Sequence, residues 1–73
     1  MGGNEHTAVI SLLEECSHTL AYMRTTIGNV HKLGYRAIIF VARNRSIIEL
    51  FDAYDFHSQF PELTYTWMIL KDN

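Results

Sequence analysis

The sequence has little cysteine, little proline and no long hydrophobic run, and each shortage excludes a class of protein. Its single cysteine, Cys16, rules out an intramolecular disulfide framework and favours a reducing compartment. The longest uninterrupted apolar run, residues 37–42, is far too short to cross a bilayer. The first six residues have neither the basic nor the apolar part of a secretory signal. We therefore expect a cytoplasmic protein with no membrane partner.

Excess positive charge is also missing. The chain has six Lys and Arg residues and eight Asp and Glu residues, which gives a net charge of −2. The basic residues between positions 24 and 45 are Arg24, Lys32, Arg36, Arg43 and Arg45. Lys32 and Arg36 lie at the start of a predicted strand, whereas Arg43 and Arg45 lie at its end, about 20 Å away. No compact footprint results, so we expect no nucleic-acid partner.

Residues with catalytic or ligating side chains are present but form no recognisable motif. The four histidines, at positions 6, 18, 31 and 57, include no pair at the i, i+4 spacing that places two metal ligands together. Cys16 and His18 lie two residues apart, so on a helix they point to different faces. No serine lies in a G-x-S-x-G turn. The sequence predicts no catalytic residue, no metal and no cofactor.

Apolar residues recur at helical spacing from Glu5 to Leu33, which predicts one long N-terminal helix. Asn4 is the expected N-cap, and Gly34 fits the left-handed position just past the end. Weak helix formers near Gly28 leave open whether the helix is continuous. The apolar stripe consists of Val9, Leu13, Cys16, Leu20, Met23, Ile27 and Val30.

A strand, a helix and a second strand follow. Ala37 to Ala42 is apolar on both faces, which is typical of a buried parallel strand. Ser46 and Glu49 match a capping box at the start of a second helix. Residues 63–70 alternate as a strand rich in β-formers. We predict one small two-layer α-β-α-β domain over residues 1–73, with residues 1–4 flexible and the strands parallel through a right-handed crossover.

Two resemblances support this class. Residues 36–46, RAIIFVARNRS, are similar to the opening strand–loop–helix of the second RecA-like domain in superfamily-2 helicases. That strand and helix, with the strand Tyr65 to Leu70, look like a half-lobe of the type I periplasmic-binding fold. Both resemblances lie in the apolar pattern, cover half the chain or less and include no helicase arginine motif or Walker lysine. They imply an α/β fold and no particular activity.

The lengths of the predicted elements indicate an assembly. A helix over residues 5–33 would extend about 43 Å, whereas the first strand covers only about 23 Å. The helix would overhang its sheet with an apolar stripe that something must cover, and a two-stranded sheet would have two open edges. We expect a homodimer or an obligate partner. A helix broken near Gly28 and folded back is the alternative.

The loop Arg43-Asn44-Arg45 is the one candidate ligand site. It follows a strand and precedes a helix, where helix amides favour anions and arginines can add bidentate contacts. Without glycine the loop cannot wrap a phosphate as a P-loop does. The alternative is two solvated arginines, with Ser46 and Glu49 already bonded to the helix amides.

Aromatic residues exceed what one small core needs, which indicates an interface. Trp67, mid-strand, is predicted to be buried. Phe56 and Phe60 fall outside the stripe of the second helix, so we assign them to the interface and expect at least one of them to lie there. The alternative is that the aromatic residues simply form the core. The overhanging stripe adds Val9, Leu13 and Leu20.

These features favour a non-enzymatic interaction or regulatory module that binds another protein and forms a homodimer. The alternative is a small anion- or nucleotide-binding domain that uses Arg43 to Arg45. A third possibility is an enzyme whose site forms between subunits, because 73 residues hardly enclose a catalytic cavity.

Overall fold

Parallel strands and α-helices alternate along the chain in the computed structural model, which describes residues 7–70. A 3-10 helix, Glu15–His18, precedes the first α-helix. The predicted cap Asn4 and the predicted flexible residues 1–4 lie outside the described residues. The elements are β1 (Thr7–Ser11), α1 (Leu20–Lys32), β2 (Ala37–Ala42), α2 (Ser46–Tyr54), α3 (Phe56–Gln59) and β3 (Thr64–Ile69).

The strands form one parallel sheet in the order β1-β2-β3. The α/β class and the parallel strands are therefore confirmed. Both connections step in the same direction across the sheet, so right-handed crossovers place α1 and α2 on the same face. Burial agrees, because Met23 of α1 and Phe51 of α2 share one buried cluster with Ile38 and Phe40 of β2.

The long N-terminal helix is a wrong prediction, because residues 7–11 form a strand and α1 begins only at Leu20. Thr, Val and Ile favour the strand conformation. As a strand, β1 also forms backbone hydrogen bonds along β2, which a helix could not form. Val9, placed on the apolar stripe, is 67% exposed, whereas Ile10, off the stripe, is buried. Cys16 is exposed as well. The overhang that argued for a dimer therefore does not exist.

The real helix α1 has its own start and end signals. Thr19 is the N-cap, and its Oγ1 accepts a hydrogen bond from the Tyr22 N–H at 3.1 Å. The helix runs unbroken through Gly28, which settles the alternative left open by the sequence. Gly34 has φ +89°, the predicted left-handed position. Only the second half of the predicted stripe, from Met23 onwards, lies buried on this helix.

The strand–helix–strand prediction over residues 36–70 is confirmed in its main elements. β2 has the predicted bounds, and β3 is one residue shorter at each end than predicted. Ile47 and Phe51 are the buried residues of α2, as expected from its apolar face. The short helix α3 was not predicted. It arises because Asp55 adopts a left-handed conformation (φ 62°, ψ 42°), which ends α2 and turns the chain.

Phe51 is the centre of the core. It has no exposed surface, and five aromatic rings surround it at centroid distances of 5.1–5.5 Å. These rings are Phe40, Phe56, His57, Tyr65 and Trp67.

Two aromatic positions differ from the expectation. Phe56, assigned to an interface, has no exposed surface, because the left-handed Asp55 directs the next turn inward. Trp67, expected to be buried, is half-buried, because β3 is an edge strand and the described part of the chain has no strand beyond it. Phe56 is therefore a core residue, whereas Trp67 is only partly in the core.

Candidate functional site

One face of the sheet is not covered by any helix of residues 7–70, and we call it the open face. Successive strands contribute side chains to it in register, so that Val9, Ile39 and Thr66 form the middle row. None of its side chains is charged. The open face consists of Thr7, Val9, Ser11, Ala37, Ile39, Val41, Thr64, Thr66 and Met68.

This face exposes apolar surface that a parallel sheet normally buries. Val9 is 67% exposed and Met68 is 51% exposed, on the two outer strands. Ile39 and Val41, on the central strand, are half-buried because the neighbouring strands flank them. All-parallel sheets occur almost only with both faces covered. The open face is therefore an unpartnered apolar surface on the described part of the chain.

A cleft of about 250 Å³ lies at the carboxyl ends of β1 and β2. Arg43 and Asn44 of the predicted anion loop line it, but Arg45 does not. His18 also lines it, and its Nε2 lies 2.8 Å from the Leu12 carbonyl oxygen, to which it can donate. The remaining lining residues are Leu12, Leu13, Ala42, Ser46, Ile47 and Leu50. Sequence reasoning missed His18 because only the presence of β1 brings the following loop beside β2.

The predicted capping box at α2 is wrong. Arg45, not Ser46, is the N-cap, and no side chain caps the helix. Ser46 thus occupies the first helical position, from which it cannot cap the helix. The first-turn N–H groups of Ile47 and Ile48 instead donate to the carbonyls of Asn44 and Arg45. Ligand contacts at this end would come mainly from side chains.

A second cleft, of about 210 Å³, lies at the opposite, amino-terminal end of the sheet. Two of its lining side chains, His31 and Glu62, have Nε2 and Oε1 3.2 Å apart, and both side chains are substantially exposed. A hydrogen bond from its own backbone N–H, and then the one to His31, lower the pKa of the Glu62 carboxyl. Arg36 also lines this cleft. Because Arg36 and Arg43 flank β2 at opposite ends, the basic residues form no single patch.

Tyr65 of β3 is held by its hydroxyl. Burial, and then the charge of Glu62, raise the pKa of this phenol to about 12. The protonated hydroxyl donates to the carbonyl of Phe60 at 3.3 Å. This bond fixes β3 against the end of α3, so the tyrosine acts as a structural donor.

The predicted interface residues do not form one surface. Val9 lies on the open face, and Leu13 lines the carboxyl-end cleft. Leu20 is half-buried at the first position of α1. The Phe60 ring lies beside His31, with centroids 5.3 Å apart, on the other side of the molecule. Sequence reasoning missed the remainder of the open face, because it becomes visible only when β1 is recognised as a third strand.

Chemical and family comparisons add no further site. Within residues 7–70, no three His, Cys, Asp or Glu side chains are placed to hold a metal ion. No helix in that range combines the length and apolar character needed to span a membrane. No family model, curated protein or solved structure matches the chain.

Proposed function

We propose that this chain is a non-enzymatic protein-interaction module and that the open face binds its partner. The observation that carries this proposal is a parallel sheet whose helices, in the described part of the chain, lie on one face, with exposed Val9 and Met68 on the other. Burying such apolar area contributes about 25 cal/mol per Å². Depletion of charge is also the compositional mark of an interface core.

The face fits a partner that presents an apolar helical surface. Helices are the elements that cover parallel sheets, and they do so by packing an apolar stripe on the sheet. The threonines at the margin, Thr7, Thr64 and Thr66, can donate hydrogen bonds at a polar rim. A highly charged partner finds no complementary charge on this face.

Val9→Asp should abolish partner binding without unfolding the domain. Val9 is 67% exposed, so the substitution places a carboxylate on the surface of the free protein but in an apolar interface of the complex. We expect at least about tenfold weaker binding, which corresponds to about 1.4 kcal/mol. The measurement is a quantitative pull-down from native extract with wild-type and variant baits, with each retained protein identified by mass spectrometry.

The matched control is Ala21→Asp, which adds the same charge on the helix side. Ala21 is exposed in the first turn of α1, where a carboxylate is favourable near the helix N-terminus. Proteins that bind through the open face should be retained by wild type and Ala21→Asp and lost with Val9→Asp. Equal retention by all three baits would refute the open face as the binding surface.

A second candidate function, binding of a small anion, is favoured by the cleft at the carboxyl ends of β1 and β2. In open α/β sheets ligands bind at this end of the strands. Arg43 and Asn44 offer a charged fork and an amide there, and His18 lines the same cleft. Within this second candidate, Arg43 is the residue on which affinity depends.

If the cleft binds small anions, phosphate bound by Arg43 should raise the melting temperature of the protein. A ligand at 100 times its dissociation constant stabilises the native state by about 2.7 kcal/mol. Arg43→Ala should remove the shift, whereas Arg45→Ala should keep it, because Arg45 does not line the cleft. The comparison uses phosphate and chloride at equal ionic strength, so general screening cancels. A shift of equal size in both variants would exclude the cleft as the anion site.

A further inference from the structure

β3 is a sheet edge that lacks the usual protection against pairing with another strand. Natural edges are shortened, bulged or interrupted by proline or charge. β3 has six residues and contains no proline, glycine or charged side chain. Its register with β2 runs without a bulge from Thr64 to Ile69. Such an edge is open to an added strand.

Alternate residues of β3 direct their backbone groups outward. The Thr64 N–H donates to the Arg36 carbonyl at 2.9 Å, and the Leu70 N–H donates to the Ala42 carbonyl at 2.8 Å. Along a parallel strand the direction of these groups alternates with each residue. The residues whose N–H and C=O face outward are therefore Tyr65, Trp67 and Ile69. No strand among residues 7–70 pairs with that side of β3.

We propose that a second copy of this chain pairs with β3 in antiparallel orientation, across a two-fold axis at Trp67. Two three-stranded sheets then become one sheet of six strands. Tyr65 lies opposite Ile69 of the second copy, and Trp67 lies opposite Trp67 of the second copy. Each of the three resulting pairs exchanges two backbone hydrogen bonds, so the pairing supplies about six.

The side chains of β3 suit this symmetric arrangement. Trp67 stacks on Phe40 with centroids 4.7 Å apart and is only half-buried. In the six-stranded sheet the two tryptophans shield one another, and Tyr65 meets a β-branched partner, both favourable cross-strand pairs. No charged side chain of β3 meets another across the axis. β1, the other edge, offers only Thr7, Val9 and Ser11 at the equivalent positions and would bury less area.

The paired sheet also enlarges the binding surface, and this step rests on the proposed function. The open face of one copy spans roughly 14 by 20 Å, or about 280 Å², well below the 800 Å² per partner of a standard interface. A two-fold axis perpendicular to the sheet keeps both open faces on the same side. Six strands roughly double the face to about 560 Å², which brings it closer to the standard size than one copy alone.

A charge swap at two exposed positions tests the pairing. Thr66 and Met68 are exposed on the open face, and in the proposed register each lies opposite the other residue of the second copy. Thr66→Lys with Met68→Lys sets lysine against lysine twice, whereas Thr66→Lys with Met68→Glu sets lysine against glutamate. Sedimentation equilibrium at micromolar concentration should give wild type a mass near twice 8.5 kDa. The double lysine variant should dimerise at least about tenfold more weakly, and the lysine–glutamate variant should recover wild-type affinity.

Each other outcome overturns the pairing. If the wild-type protein has a mass of 8.5 kDa at every micromolar concentration measured, the proposed dimer does not form. Double variants that both dimerise like wild type, or both fail to dimerise, are incompatible with the register, provided that circular dichroism shows both to be folded. Val9→Asp, on the far edge strand, should leave dimerisation unchanged. Loss of a partner by Val9→Asp in a monomeric protein would keep the proposed function and reject only the pairing.

Discussion

Phe51→Ala should remove a large share of the stability of the domain, about 3–5 kcal/mol. The side chain is fully buried on the inner face of α2, and five aromatic rings pack around it. Truncation leaves a cavity that strands and helices fixed by hydrogen bonds cannot fill. At the usual 0.05–0.15 kcal/mol per residue, a chain of this length has only about 4–11 kcal/mol in total. Urea unfolding followed by circular dichroism measures the loss.

Phe60→Ala makes the same chemical change at a half-buried site and serves as the control. Phe60 ends the short helix α3, where its Cζ lies 3.8 Å from the position that a Cβ on Gly28 would occupy. We expect a cost of about 1–2 kcal/mol, because part of the ring is already in contact with water. Similar losses at both positions would contradict the burial that separates them.

The strand–helix–strand half of the fold could be predicted because local signals there agree with the tertiary structure. β2 is apolar on both faces, and a buried parallel strand requires that pattern. α2 has one apolar face, with Ile47 and Phe51 inward, and β3 alternates. Propensity, period and burial all indicate the same elements in this region.

The N-terminal half could not be predicted in the same way, because a short strand and a helix share apolar spacings. Val9 and Leu13 are four residues apart, as on a helix, although they belong to β1 and to the loop after it. Five residues give too few alternations to outweigh a stripe that continues correctly from Met23 onwards. What decides the matter is the pairing of β1 with β2, a long-range contact that no local pattern contains.

The same missing strand explains the errors at the candidate sites. In the predicted two-stranded sheet, the open face lacks the residues of β1, and the cleft beside Arg43 lacks His18. The loop itself was placed correctly after β2, because the strand and the following helix were both recognised. The surface that carries the proposed function thus depends on tertiary pairing, whereas the loop depends on local sequence.

Two substitutions of the same kind, seven residues apart on α1, provide the most direct test of this architecture. Ile27→Asp places a carboxylate where no side-chain surface is exposed, and the buried residues between positions 7 and 70 include no cation that could pair with it. A buried, unpaired charge adds several kcal/mol to the lost apolar burial. We expect a loss of more than about 4 kcal/mol, and little or no folded protein at pH 7.

Leu20→Asp should cost much less, under about 1.5 kcal/mol. Leu20 is half-buried at the first position of α1, so the new carboxylate can reach water. A negative charge there is also favoured by the helix dipole, by about 0.3–1 kcal/mol. In a single helix over residues 5–33, by contrast, position 20 would lie mid-stripe, and both substitutions would be equally damaging. Urea unfolding of the two variants therefore distinguishes the structures: a large difference supports a helix that begins at Leu20, and equal losses would favour the continuous helix.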